Sequence, residues 1–585
     1  MRPTKLPDAW LLVTLLLGEC VAVILVYWPG MHAGFYFDDH QNIVGATALH
    51  LTDLRVAAIS EAMQDGFLRS RPIANLSMAL NHLFGSLEPK GYHWTNLVIH
   101  LAVGLALFNL LVQLSIHDRR SMAVKRTAIL CAAIVTFLYL LHPLNIQAVT
   151  YVVQRMSSMA TLFSLIAFTC YIRARRRPTQ LARVTWFSCS LLSWMLAVGS
   201  KEVALAMPVV VLLYELAFHR EQWQRLRARL NHPCVLWPAA VMVLSVSALT
   251  IYLVWNMYHL NGVLHWHEPF TNRDFNGYQR VLTQLRVQFF YLGLLLWPAP
   301  SRLNLDHEFS LSLSLTDPWS TAIALGAWLV IIAATIWLFR KHPRYGFPLL
   351  AYLTLHLMES GPLNLELVFE HRMYLPMTML AVLLTNILVD LKPHQRNAPL
   401  SVIVFVLPLL GYATYQRNVV WADPLVFHDD CARKSPNKFR PQYNLGTVLG
   451  MAGRYSEAQR ALNRALALNP EHSEAHNQLA NTYVLTGNTS LALSHYRRAV
   501  ALNPGNAEAV FNLAQQLDSA GRLAEAVEGY RHFLTVAPPY LAPQIDSTRR
   551  RLAMLGRAIS NVPSRNQEPA ATLSNQDQEP DPAKQ

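Results

Sequence analysis

The chain has 585 residues, of which 52% are hydrophobic and only 15% charged, and it carries a formal net charge of +13. That length holds several domains. In a soluble protein such a charge would point to nucleic acid. Here Lys and Arg gather in short loops between apolar runs, which sets that partner aside and makes the charge a record of membrane topology.

Up to about residue 416 the chain is a succession of apolar runs, and beyond it the pattern becomes soluble-like. Met1-Arg2-Pro3-Thr4-Lys5 leads into an apolar run from Trp10 to Trp28 with no small-residue cleavage site after it. This reads as an uncleaved first transmembrane helix. About eleven spans are predicted, at 9–28, 94–115, 127–142, 157–172, 184–199, 202–218, 234–256, 319–339, 346–358, 373–390 and 399–416. The stretch 283–298 is apolar but short, ends in Trp297-Pro298-Ala299-Pro300, and reads as re-entrant or interfacial. Basic clusters fill five gaps: Arg119, Arg120, Lys125 and Arg126; Arg173, Arg175, Arg176, Arg177 and Arg183; Arg220, Arg225, Arg227 and Arg229; Arg340, Lys341 and Arg344; Lys392 and Arg396. With eleven spans all five lie on the side of the N-terminus, which the positive-inside rule makes cytoplasmic. Loops 29–93, 143–156, 257–318 and 359–372, and everything after 416, then face the periplasm or an organelle lumen. A bacterial inner membrane is the expected location. Five cysteines fall in or beside apolar runs and Cys431 stands alone in the soluble part, so no disulfide framework or metal-ligand spacing is evident.

The first outer loop is about 65 residues long and opens with Gly34-Phe35-Tyr36-Phe37-Asp38-Asp39. Loops of that length usually carry function, and adjacent carboxylates at a membrane surface are costly to place. Either Asp39 or Asp38 suits a general base acting on an incoming hydroxyl. A helix cap or an ion site is the structural alternative. Pro72 to Phe84 has apolar residues at helical spacing and suits a helix on the membrane surface. Further outer-side candidates are Arg71, His142, Arg155, Lys201, Glu202, Arg372 and Tyr374. The cations among them run against the charge rule. Singly each is an interfacial anchor. Together Arg155, Lys201, Arg372 and His142 would cradle a lipid phosphate and absorb the charge of a leaving group. Nothing in the pattern calls for a divalent metal or another cofactor.

The C-terminal region repeats at 34 residues: Pro470, Pro504 and Pro538; Gly453, Gly487 and Gly521; Ala458, Ala492 and Ala526; Leu445, Leu479 and Leu513. This is the tetratricopeptide pattern, two amphipathic helices per unit. Stacked units form a solenoid whose concave face suits an extended peptide. Asn444, Asn477 and Asn512 are the candidate acceptor-peptide residues, with ordinary polar surface as the alternative. The predicted division is therefore a membrane domain over 1–416, a connector over 417–436, three repeats over 437–545 and a disordered tail over 559–585.

These pieces in this order resemble the transmembrane and tetratricopeptide-repeat O-mannosyltransferases and their bacterial relatives, within the GT-C class of membrane glycosyltransferases. The matching residues are Gly34 to Asp39, Arg71-Pro72, Asn96, His100, His142-Pro143, Arg155, Ser200-Lys201-Glu202, Arg372 to Pro376, and Arg417-Asn418 before Trp421, followed by the repeats. The resemblance implies an all-α chain, a polytopic GT-C-like helical domain followed by a soluble repeat solenoid. It implies transfer of a sugar from a polyprenyl-phosphate donor to Ser or Thr hydroxyls of a protein, with Asp39 as base and Asp38 in support. Direct displacement would invert the anomeric centre. Two rivals remain open. A membrane-anchored tetratricopeptide scaffold for envelope assembly would have no need for Asp38, Asp39, Lys201, Glu202 and Arg155 at the bilayer edge. A transporter would carry charges deep within its spans and internal symmetry, whereas only Glu19 is so placed.

Overall fold

A computed structural model describes residues 9–66, 69–116, 121–219, 266–270 and 273–560. Every regular element among them is helical. The chain divides into two compact units, Met1–Asn437 and Lys438–Gln585. The predicted span 234–256, the Arg220 to Arg229 cluster, Arg119 and Arg120, and the tail after Ser560 lie outside the described residues.

The first unit is built on helices α1 (Ala9–Tyr27), α2 (Val56–Gln64), α3 (Pro72–Gly85), α4 (Pro89–Ile116), α5 (Met122–Leu140), the single turn α6 (Ile146–Val149), α7 (Arg155–Arg176), α8 (Gln180–Val198) and α9 (Met207–Phe218). It continues with α10 (Gly277–Leu296), α11 (Ser320–Lys341), α12 (Pro343–Leu357), α13 (Pro376–Asp390), α14 (Pro393–Ala422) and α15 (Pro424–Lys434). Six described helices are long and apolar enough to cross a bilayer, or seven if the bent pair at residues 124–149 is one span. In hydrocarbon a chain must satisfy its backbone internally, which helices do. The protein is a multi-pass membrane protein. The most buried of these helices is α7, with 78% of its apolar window inside the protein, against 17% for α11. The interior thus collects around α4, α7 and the ends of α5, α13 and α14, while α1, α8 and α11 turn Leu25, Leu192 and Ile323 outward.

Two predicted features differ. The stretch 283–298 runs through the C-terminal part of one unbroken helix, α10, which sets aside the re-entrant reading and agrees with the interfacial one. The helix begins six residues earlier than its apolar run, just after a reciprocal cap in which the Asn276 side chain accepts from Gln279 N–H at 2.9 Å and Gln279 accepts from Asn276 N–H at 3.1 Å. Its 20 residues are about 30 Å long at the α-helical rise, but it is not among the six described helices apolar enough to cross a bilayer. It lies along α11, with Trp328 Nε1 donating to Leu285 O at 2.9 Å. The expected span 202–218 instead opens with a tight turn over Glu202–Ala206 and only then enters the short helix α9.

The second unit stacks three helix pairs: α16 (Phe439–Met451) with α17 (Tyr455–Leu468), α18 (Ser473–Leu485) with α19 (Thr489–Leu502), and α20 (Ala507–Ser519) with α21 (Leu523–Val536). A final helix α22 (Ala542–Ser560) covers the last pair. Gly453, Gly487 and Gly521 end the first helix of each pair at φ of 73°, 78° and 74°. Glycine is the residue that takes that left-handed turn without strain. Ala458, Ala492 and Ala526 are fully buried where paired helices meet. At Gly446 the approach is closest, since a β-carbon there would sit 2.6 Å from Leu462 Cγ.

Candidate active site

The acidic motif is folded into a sharp corner between α1 and the outer loop. Phe37 adopts φ of 45°, a left-handed conformation that bulky residues rarely take. The His428 ring stacks on it at 5.8 Å, and Tyr36 donates through its hydroxyl to Trp421 O at 2.6 Å. The corner separates the two carboxylates. Asp39 is fully buried, with Oδ2 accepting Tyr36 N–H at 3.0 Å and Oδ1 accepting Val153 N–H at 2.7 Å. Burial pushes its carboxyl up to about 8, against the two backbone donors that favour the ionised form. Asp38 is exposed, and its own N–H donates to Tyr151 Oη at 2.9 Å. Asp39 therefore fastens the loop to the chain before α7, and Asp38 is the carboxylate open to solvent.

The end of α14 secures the same corner. Asn418 Oδ1 accepts from Thr150 Oγ1 at 2.7 Å. A β-carbon on Gly30 would come within 2.6 Å of that amide oxygen, so only glycine lets α1 turn here. Arg417, 2% exposed, pairs with Asp430 on α15.

A second group of charges lies at the start of α7, around Lys201 and the loop before α13. Arg71 pairs with Glu202 at 3.0 Å, and Lys201 Nζ pairs with Glu359 at 2.8 Å while donating to Ser157 Oγ at 3.1 Å. Burial lowers the Lys201 ammonium, with the Glu359 carboxylate acting the other way. Glu359 is held low by Lys201 and Arg372, which outweigh its burial. Arg372 is 5% exposed; it donates to Leu367 O at 3.1 Å, and its guanidinium lies 5.5 Å from the Phe369 ring centroid. Arg280 from α10 clamps the loop that bears Glu359, donating to the backbone oxygens of Glu359 at 2.7 Å and Leu365 at 3.1 Å. Arg71, Lys201, Arg280 and Arg372 thus face Glu202 and Glu359, an excess of positive charge in a buried setting.

One short stretch joins the two groups. Along Tyr151 to Ser157, Tyr151 touches Asp38, Val153 holds Asp39, Met156 contacts Arg71 and Ser157 meets Lys201. Asn96 on α4 fixes this stretch, donating to Val149 O at 2.9 Å and accepting from Arg155 Nε at 2.6 Å.

The remaining sequence candidates fall elsewhere. Arg155 is fully buried, and besides Asn96 it donates to Ser77 O at 3.0 Å, Ser77 Oγ at 3.1 Å and Tyr92 O at 2.9 Å. Its donors are spent on the interior, not aimed at a phosphate. His142 uses both ring nitrogens on backbone, Nδ1 accepting from Leu144 N–H at 3.2 Å and Nε2 pairing with Leu295 O at 3.0 Å. Tyr374 is fully buried, its hydroxyl 2.6 Å from His100 Nδ1. In the repeat unit Asn477 is 2% exposed, and its amide oxygen accepts from Asn512 Nδ2 at 3.0 Å, so this pair joins the second and third repeats. Asn444 is partly exposed on α16. Among the described residues no group of three or more His, Cys, Asp or Glu is arranged to hold a metal. Glu359 and Tyr151 were not anticipated. The signal for Glu359 is an acid placed directly after the apolar run 346–358.

Residues 443–507 and 477–538 match the family described as Tetratricopeptide repeat. Over 466 residues, 77% of this chain and 62% of the relative, the chain is 23% identical to Protein O-mannosyl-transferase F38B6.6 of Caenorhabditis elegans. Human Protein O-mannosyl-transferase TMTC3 is 26% identical over 212 residues, 35% of this chain and 21% of the relative. Its relatives are protein O-mannosyl-transferases. The sequence resemblance pointed to the same group. The chain spans less than two thirds of the length of these relatives. Among solved structures, ArnT from Cupriavidus metallidurans in the apo state covers 92% of this chain and 82% of its own at 14% identity and a TM-score of 0.38.

Proposed function

We propose that the protein is a membrane glycosyltransferase that moves a single sugar, mannose by analogy with its relatives, from a polyprenyl-phosphate donor to Ser or Thr hydroxyls of a protein. The carrying observation is the pairing of an exposed carboxylate, Asp38, with a buried excess of cations, both hung on residues 151–157.

Asp38 takes the acceptor hydroxyl proton as that oxygen forms its bond to the anomeric carbon. The bond from that carbon to the phosphate oxygen breaks, and the phosphate leaves with the electron pair. Arg372, Lys201 and Arg71 absorb the charge, and in a site of low dielectric such fixed cations count for more than in water. Attack from the face opposite the leaving group inverts the centre. Asp39 is a buttress in this scheme, because burial closes it to substrate. Arg155 and His142 are supports as well. No divalent cation enters the scheme.

The repeat unit takes the polypeptide acceptor, an assignment supported by its tetratricopeptide pattern. The five-loop charge bias supports an outer leaflet site facing a periplasm or lumen. The test is reconstituted protein supplied with polyprenyl-phosphate mannose and a Ser/Thr peptide, read by mass spectrometry. A hexose on the peptide, lost in Asp38→Asn, is the expected result. Wild-type hexosylation by Asp38→Asn would overturn the proposal.

A further inference from the structure

The last repeat and the helix that covers it enclose two neighbouring hollows that the repeat pattern does not explain. Helix α20 turns Phe511, Gln515 and Asp518 toward α22, and α22 turns Gln544, Thr548 and Arg551 back. Each trio follows the i, i+4, i+7 step of one helix face. A cavity of about 350 Å³ is lined by Gln515, Tyr530 and Thr548, and a second of about 180 Å³ by Asn512, Leu541 and Gln544; Phe511 lines both. Arg551 borders the first and grips Asp518, with Nε donating to Oδ2 and Nη2 to Oδ1, each at 2.7 Å. Each cavity also has a polar atom that nothing satisfies. Thr548, 1% exposed, leaves its Oγ1 without a hydrogen-bond partner among the described residues, and the buried Oε1 of Gln544 has none either. Native folds pair the large majority of such groups, so two orphans on one helix face call for a partner.

Spacing identifies the class of that partner. Four residues of α-helix rise about 6 Å. An extended polypeptide presents the N–H and C=O of every second residue on one edge, a repeat of about 6.6 Å. A strand laid along α22 therefore meets Gln544 and Thr548 with successive groups of the same edge. Gln544 Oε1 accepts an N–H, and the Thr548 hydroxyl, able to donate or accept, takes the next group. A compact ligand seated in one cavity leaves the other orphan unmet. Resting on the reading of the repeat unit as the holder of the polypeptide acceptor, we propose that the acceptor's main chain docks in extended form between α20 and α22, on Gln544 and Thr548. The asparagines that the sequence suggested for this task are in part spent on each other, Asn512 donating to Asn477 at 3.0 Å. Main-chain hydrogen bonds give affinity without reading side chains, which suits an enzyme whose hydroxyl targets stand in varied surroundings.

Fluorescence anisotropy of a fluorescein-labelled Ser/Thr/Ala peptide with the full-length protein in detergent tests the groove without turnover. Thr548→Val keeps the shape and removes the hydroxyl; Gln544→Met keeps the length and removes the amide. Each should weaken Kd roughly 3- to 10-fold, the worth of one hydrogen bond. The Tm of Thr548→Val should hold or rise, because a buried orphan gives way to a methyl group. A Thr that merely filled the core would leave Kd unmoved. The same peptide N-methylated at every residue has lost its main-chain donors and should bind at least about tenfold more weakly. Gln515→p-benzoylphenylalanine, at an exposed position on the first cavity, should photo-crosslink to the peptide, and it carries the test if the other variants fail to fold. No binding by wild type, a Kd unchanged in both variants, equal binding of the methylated peptide, or no adduct at the crosslinking position overturns the proposal. Hexose transfer measured alongside keeps the two failures apart. Binding that responds to both variants in a protein that transfers no hexose refutes the enzymatic reading alone, whereas normal transfer with an unresponsive Kd refutes the groove alone.

Discussion

Asp38 and Asp39 are neighbours of the same type, so exchanging each for Asn is a controlled comparison. Asp39 sits in a closed site where each carboxyl oxygen meets one backbone N–H, at 3.0 and 2.7 Å. A carboxyl oxygen keeps a lone pair for that donor whether or not the group is protonated, but the amide nitrogen of Asn has none to offer. Asp39→Asn therefore orphans one buried N–H, at a cost of about 1–3 kcal/mol. Asp38 is exposed and its carboxylate holds no other part of the fold, so Asp38→Asn should change stability by less than about 0.5 kcal/mol. Thermal unfolding of the purified protein in detergent, followed by light scattering or intrinsic fluorescence, reads both stability changes, and hexose transfer to a peptide reads turnover. The expected pattern is a lowered Tm with residual turnover for Asp39→Asn, and an unchanged Tm with no turnover for Asp38→Asn. An unchanged Tm with abolished turnover in Asp39→Asn, beside an active Asp38→Asn, would reverse the roles and refute the argument from burial.

The other expectations are simpler to read. Arg372→Gln removes a buried cation of the cluster around Glu359, and donor KM should rise roughly 10- to 100-fold; an unchanged KM places the phosphate elsewhere. Arg155→Gln should instead cost roughly 3 kcal/mol or more in stability, because it strips the interior contacts to Asn96, Ser77 and Tyr92. The Asp39 carboxyl lies near 8 in the folded protein against an unperturbed 3.8. The native state then holds its proton more tightly, so this contribution is complete below about pH 4 and is lost as pH rises through about 8. Between pH 6 and 9 the Tm should fall more for wild type than for Asp39→Asn, and parallel curves would contradict the closed site. Gly446→Ala forces a methyl onto Leu462, and should destabilise the repeats by about 1–3 kcal/mol, as seen by circular dichroism melting.

The repeats were legible because a strict 34-residue step leaves little freedom, and the glycines at the turns carry their own conformational signature. The corner at Asp38 and the turn at Lys201 were legible because charge at the edge of apolar runs is expensive and so conspicuous. Which charges are spent on partners inside the fold was not legible. Arg155 and His142 read as phosphate ligands, yet both are consumed by backbone and side-chain partners far away in sequence, including Ser77 and Leu295. The same holds for Asn477, spent on Asn512. For stretch 283–298 the start of the helix was missed because only apolar residues were counted, while the helix begins in a polar turn marked by Asn276 and Gln279. Tyr151 carries no local pattern and is informative only through the chain it meets more than a hundred positions earlier.

The seven residues from Tyr151 to Ser157 form one continuous run whose ends reach Asp38 and Lys201 through single hydrogen bonds of 2.9 and 3.1 Å. Such a tether works as a molecular ruler. In the proposed reaction that run would set the gap a sugar has to bridge, and a donor of a different reach would be turned away by length before any of its hydroxyls were read.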